Sequence, residues 1–156
     1  MTQAILFDAD GVLVDAGEMH YQAFNQALAV HGWCITRVEH RTIYDNLPTR
    51  GKLERLTETK GLPRELHQTI LVAKERFIRK TITDYLKPDP TKIELLRELR
   101  EQGYAIAACS NMLQGALTLM MDQVRLLSHL DVVIGNDLQR PAKPAPNVYL
   151  AAAALT

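Results

Sequence analysis

The stretch Ala4-Ile-Leu-Phe-Asp-Ala-Asp-Gly-Val-Leu-Val-Asp15 constrains this chain more than any other. Its opening apolar run is too short for a buried helix and long enough for a buried strand, and it leads straight into an acid, a small residue, a second acid and a glycine. Residues two apart on an extended segment share a face, so Asp8 and Asp10 address one small volume, and Gly11 lets the backbone turn away. The strand delivers two carboxylates to its own C-terminal end, which is where open α/β sheets bind ligands. Taken alone, the pair reads equally well as an acidic turn.

The rest of the chain supplies an alternation. Met19, Ala23, Phe24, Ala27 and Leu28 predict a helix over residues 17–30, with a weaker helical pattern over 37–44 and a short helix over 52–60. From Pro63, the spacing of Leu66, Ile70, Leu71, Phe77, Ile78 and Ile82 predicts a long helix to about Tyr85. Residues 16–86 carry no strand signal. Pro88-Asp89-Pro90 marks a boundary, because the residue before each proline is biased away from helix. Beyond it come a helix through Ile93, Leu95, Leu96 and Leu99 closed by Gly103, a strand over 104–109, a helix over 113–127, a strand over 131–135 and an alanine-rich helix over 146–155. This order reads as an α/β chain with a doubly wound parallel sheet, its core formed by residues 1–15 and 87–156 and interrupted by a helical insertion over 16–86.

Two residues sit where a phosphate site on such a sheet requires them. Ser110, with Asn111, follows the second strand as Asp8 follows the first, and a hydroxyl beside backbone N–H groups at a strand-to-helix junction holds phosphoryl oxygens. Lys143 follows the third strand within Arg140-Pro-Ala-Lys-Pro-Ala-Pro-Asn147, where prolines restrict the backbone and aim the ammonium. Singly, each has a plain explanation as a helix cap or a solvated loop charge. A chain of 156 residues with equal numbers of Lys plus Arg and Asp plus Glu, 18 each, has no overall field to attract nucleic acid or an anionic membrane, so an anion site must be built locally. Cys34 and Cys109 fit neither a metal motif nor a disulfide framework, and reduced thiols in a cytoplasmic protein are expected. Neither a secretory leader nor an apolar run of about eighteen residues occurs, so no membrane partner is expected.

Together, Phe7-Asp-Ala-Asp-Gly-Val-Leu-Val-Asp15, Glu18, His20 and Phe24, then Ser110 and Lys143, resemble the first three motifs of the haloacid dehalogenase (HAD) superfamily. The branch is the one that includes β-phosphoglucomutase and related sugar-phosphate phosphatases with a helical cap after the first motif. Response-regulator receiver domains use similar residue types, but their phosphoacceptor follows the third strand.

The resemblance implies a Rossmann-like HAD sheet, roles for each motif and a gap. Asp8 is the nucleophile toward phosphorus and Asp10 the general acid and base, while Ser110, Asn111 and Lys143 hold the phosphoryl group. Mg²⁺ is the implied cofactor, held by Asp8 and at Asp10. In the cap, His20, Arg50 and Lys74 are the implied substrate contacts; Lys52 and Lys74 read as readily as a solvated helix face. The fourth motif, an acid-bearing strand in complete relatives, is absent, and residues 144–156 hold no acid. The implied function is Mg²⁺-dependent hydrolysis of a small phosphorylated metabolite, a sugar phosphate, through an aspartyl phosphate. A sugar-phosphate mutase is the alternative, and a weakly active or inactive fragment that binds phosphate or a partner is the alternative of another class. A sheet lacking its last strands leaves Ile5 to Phe7 on an edge, so self-association through the first strand is expected as well.

Overall fold

A computed structural model describes residues 3–45, 47–136 and 141–156. The chain divides into two compact units, one of residues up to Ala16 and from Tyr85 onward, the other Gly17–Asp84.

The first unit carries three strands, β1 (Ala4–Asp8), β2 (Ala105–Cys109) and β3 (Val132–Ile134), paired in parallel in the order β1-β2-β3. The fold is therefore α/β with a parallel sheet, and β1 lies at an edge of it among the described residues. Register brings Asp8 opposite Cys109 and Cys109 opposite Ile134, so the ends of all three strands lie in line. On either side of β1 the Gln3 carbonyl accepts from the Ala105 N–H and the Ala9 N–H donates to the Cys109 carbonyl, and in a parallel ladder that parity turns the N–H and C=O of Ile5 and Phe7 toward β2 and those of Ala4, Leu6 and Asp8 toward the open edge. Helix α7 (Asn147–Leu155) packs Val148 and Ala152 on the face made by Leu6, Ala107, Cys109 and Ile134. Helices α5 (Pro90–Glu101) and α6 (Gln114–Gln123) pack against β2 and β3.

The second unit is helical. Helix α1 (Gly17–Ala29) buries Met19, Ala23, Phe24, Ala27 and Leu28. Helix α2 (Arg37–Glu39), opened by a capping box between Thr36 and Glu39, runs into a π-helical turn over His40–Tyr44. Helices α3 (Thr49–Lys60) and α4 (His67–Tyr85) complete it, and Phe24, Leu28, Tyr44, Leu53, Leu56, Leu62 and Ile70 form a fully buried core. Each of the Leu, Ile and Phe side chains among them contributes about 1.5–3 kcal/mol through burial.

Several boundaries differ from the sequence pattern for identifiable reasons. Helix α3 begins at Thr49, immediately after Pro48, because proline fixes the residue before the first turn, whereas the apolar spacing there starts later. Pro63 opens a 3₁₀ turn over Arg64–Leu66 before α4. Helix α6 ends at Gln123 because Arg125 adopts a left-handed conformation, and the rest of the expected helix is a separate 3₁₀ turn over Leu127–His129. Asp89 caps α5 by accepting a hydrogen bond from the Thr91 N–H at 2.9 Å, with Pro90 in the first turn. Arg140, the first residue of the proline-rich stretch, lies outside the described residues.

Candidate active site

The site is built at the C-terminal ends of the three strands. Beyond Asp8 the backbone continues to follow β2, with the Ala9 N–H bonded to the Cys109 carbonyl at 3.0 Å. It then folds back on itself: the Gly11 N–H donates to the Val14 carbonyl at 2.8 Å and the Val14 N–H to the Ala9 carbonyl at 3.0 Å, closing a loop around Asp10. Gly11 makes this turn at φ 79°, where a side chain would be strained.

Ser110, fully buried, is held by its N–H on the Ile134 carbonyl at 3.0 Å. Its hydroxyl accepts from the Met112 N–H at 3.0 Å and donates to Asp10 Oδ2 at 2.8 Å. Lys143 Nζ donates to Asp8 Oδ1 at 2.6 Å, and lies 5.8 Å from the centre of the Tyr149 ring. The side chains of Lys143 and Asp8 are 18% and 37% exposed, so the ion pair is shielded yet open to a solute. Cys109 lies beneath; burial pushes its thiol up to about 11 despite the nearby Lys143 charge, so it keeps its proton at neutral pH.

Of the residues expected from sequence, Asp8, Asp10, Ser110, Asn111 and Lys143 therefore meet in one place. Asn111 is engaged differently from expectation: its Oδ1 accepts from the Lys143 N–H at 2.8 Å and its Nδ2 donates to the Lys143 carbonyl at 3.5 Å. The other three lie in the helical unit. His20 is half-buried on α1, and Arg50 is exposed on the first turn of α3. Lys52 and Lys74 do not form a solvated face: they are 6% and 8% exposed, and Lys74 Nζ donates to Thr49 Oγ1 at 2.8 Å. Long aliphatic stems let both lysines cover apolar surface, and Lys52 Nζ sits 5.9 Å from the Phe24 ring centre.

One positioning group carried no sequence signal. Gln114 Nε2 donates to the Val133 carbonyl at 2.9 Å and its Oε1 accepts from the Gly135 N–H at 2.7 Å, while the Asn136 N–H donates to the Met112 carbonyl at 2.7 Å. The loops that follow β2 and β3 are stitched together by these bonds.

Asp8 and Asp10 supply hard oxygen donors of the kind Mg²⁺ takes, and one or two carboxylates suffice where waters and phosphate complete the shell. Among the described residues no three His, Cys, Asp or Glu side chains gather into a further metal-binding group.

A family model for haloacid dehalogenase-like hydrolases matches residues 5–156. The chain belongs to that family. A phosphoglycolate phosphatase of Caulobacter vibrioides is 32% identical over 143 residues, an overlap of 90% of this chain and 60% of that protein. The protein CbbY of Cereibacter sphaeroides is 31% identical over 167 residues, covering 96% of this chain and 68% of its own. The chain thus spans 60–68% of the length of these curated relatives. Among solved structures, CbbY from Rhodobacter sphaeroides in complex with phosphate has a TM-score of 0.81 at 26% identity, covering 99% of this chain and 72% of that one. A mutant of CbbY in complex with xylulose-1,5-bisphosphate has a TM-score of 0.82 at 25% identity, with the same coverage.

Proposed function

We propose that the protein is a phosphatase acting on a small phosphorylated metabolite, a sugar phosphate, through an aspartyl phosphate on Asp8. The observation that carries this reading is the pair of contacts at the strand ends: Lys143 Nζ on Asp8 Oδ1 at 2.6 Å and Ser110 Oγ on Asp10 Oδ2 at 2.8 Å. Membership of a hydrolase family supports it, as do relatives named as phosphatases.

In the first step an Asp8 oxygen forms a bond to phosphorus, the ester P–O bond breaks, and protonated Asp10 gives its proton to the departing oxygen. In the second, Asp10 takes a proton from water as that water attacks phosphorus, releasing phosphate and regenerating the Asp8 carboxylate. Lys143 neutralises charge on the transferring group, and the Ser110 hydroxyl, which rests on Asp10 Oδ2 in the absence of substrate, turns from it to hold one of the phosphoryl oxygens. Asp8 and the backbone at Asp10 would hold Mg²⁺, whose charge would offset the repulsion between carboxylate and phosphate. Arg50 offers an exposed bidentate fork suited to a second phosphate on the substrate, and His20 is assigned to substrate contact on the resemblance alone.

The test is hydrolysis of p-nitrophenyl phosphate with Mg²⁺. Asp8→Asn should abolish turnover, since an amide is a poor nucleophile; turnover unchanged in that variant would remove Asp8 from the chemistry. Transfer of the phosphoryl group to a second sugar hydroxyl rather than release as phosphate would mark the mutase alternative. A non-catalytic phosphate-binding reading is favoured by the lack of a third acid beside Asp8 and Asp10 among the described residues, and phosphate binding without turnover in the wild-type chain would establish it.

A further inference from the structure

We propose that Asn111 is a positioning residue that acts through Lys143, fixing the backbone from which the ammonium reaches Asp8. The proposal rests on the phosphatase reading for its consequence but not for its geometry. Among its described residues, the loop carrying Lys143 has few backbone bonds of its own. Pro141, Pro144 and Pro146 have no N–H to donate, and the Ala145 N–H is spent within the loop on the Ala142 carbonyl at 3.0 Å. The Lys143 N–H and C=O go instead to the side-chain amide of Asn111, at 2.8 and 3.5 Å. An amide carries one acceptor and one donor group in the same plane, so it pairs with both backbone groups of a single residue as a neighbouring strand would. The helical unit uses the same device, where Asn25 accepts from the Ile35 N–H at 2.9 Å and donates to its carbonyl at 2.8 Å.

The platform under Asn111 is itself rigid. Ser110 before it is bound to the Ile134 carbonyl, and Met112 after it donates to Ser110 Oγ and accepts from the Asn136 N–H. Asn111 therefore transmits the position of β2 to a lysine that lies far along the chain. Lysine is a point charge on a flexible stem, so holding its Cα in register with β1 limits the range of positions open to the ammonium. A contact to the backbone does not sense which side chain residue 143 bears. Asn111 thus has a distinct role from Ser110, whose hydroxyl sits directly on Asp10.

The experiment is competitive labelling of the 156-residue chain with trace acetic anhydride, read at Lys143 by mass spectrometry against exposed Lys87. In the wild type Lys143 should label slowly, and in Asn111→Ala its labelling relative to Lys87 should rise several-fold while the buried Lys52 and Lys74 stay slow. Asn111→Asp keeps the acceptor for the Lys143 N–H and should label within about twofold of wild type, a conservative rescue expected of a group whose main bond is retained. If Asn111→Ala does not fold, Asn111→Asp decides: fast Lys143 labelling in a folded Asn111→Asp chain overturns the proposal. So does unchanged Lys143 labelling in folded Asn111→Ala, whether or not inorganic phosphate binding weakens, since weakened binding with an unmoved lysine marks Asn111 as a direct phosphate ligand. Where turnover is measurable, Asn111→Ala should lower kcat by on the order of ten- to a hundredfold with a smaller change in KM, as a misplaced catalytic charge does. Loss of the phosphatase reading would show separately, as p-nitrophenyl phosphate turnover indifferent to Asp8→Asn.

Discussion

Gly135, just past the end of β3, faces the start of α6 at a distance that admits no side chain. A Cβ there would lie 2.6 Å from both Cα and N of Gln114 and 2.8 Å from the Met112 carbonyl oxygen. Ordinary carbon contacts are about 3.5–4.0 Å, so the loop after β3 and the first turn of α6 would have to part by roughly 1 Å. All three obstacles are backbone atoms, and none can swing aside. Parting strains the Gln114 bonds to Gly135 and Val133 and the Asn136-to-Met112 bond. Overpacking costs about 1–3 kcal/mol and each weakened hydrogen bond about 0.5–1.5 kcal/mol, so Gly135→Ala should destabilise by about 3 kcal/mol. For a chain of this length that corresponds to a fall in Tm of roughly 6–12 °C. Gly51, within α3, is the control: the nearest atoms to its Cβ would be Leu47 and Pro48 side-chain atoms at 3.6–3.7 Å, an ordinary contact. Gly51→Ala should therefore stabilise, by up to about 1 kcal/mol, through helix propensity. Urea unfolding followed by far-UV circular dichroism measures the first effect, and fluorescence of Trp33, the single tryptophan and a residue of the helical unit, measures the second. Gly135→Ala within about 0.5 kcal/mol of wild type, the range expected of an unconstrained surface change, would refute the close approach.

Burial, and after it the Lys52 charge, pushes His40 from 6.5 down to about 4, against the opposing pull of Asp45 and Glu18 and with a smaller downward push from His20. The unfolded chain then takes up a proton between about pH 6.5 and 4 that the fold refuses, so stability should fall by up to about 1.4 kcal/mol per pH unit over that window and be indifferent to His40 above it. The Trp33-monitored urea midpoint should drop from pH 7.5 to pH 5, and His40→Phe should flatten that drop; an equal drop in the variant would assign it elsewhere. Mg²⁺ should bind weakly in the absence of phosphate, because the described residues bring only the Asp8 and Asp10 carboxylates together there and waters must fill the rest of its shell, and tight stoichiometric binding by calorimetry would contradict the two-carboxylate site. In amide exchange the Ile5 and Phe7 N–H groups, turned toward β2, should be slow and that of Leu6, turned to the open edge, fast. Association through the first strand would slow Leu6 as concentration rises, and equal protection of all three at every concentration would show that β1 is not an edge.

The sequence by itself determined where the candidate site begins, because that depends on local rules. A short continuous apolar run reads as a strand, whose side-chain period of two places Asp8 and Asp10 on one side of its end, a glycine supplies the turn, and alternation of strand and helix patterns yields parallel pairing. Ser110 lies just past an apolar run, whereas Lys143 stands nine residues beyond Ile134 between prolines, and singly each read as well as a helix cap or a loop charge; the two gained meaning only together with the Asp pair. Tertiary structure alone decided what these groups do to one another. That Asn111 grips the Lys143 backbone, that Gln114 sews Gly135 to α6, and that Lys52 and Lys74 are buried depend on contacts between segments far apart in the chain. An amide side chain has the same composition whether it faces water, phosphate or a peptide group, and a lysine stem serves a solvated face or a core surface equally well. Only the packing of strands and helices, fixed by the summed burial of apolar side chains from distant segments, selects among those partners.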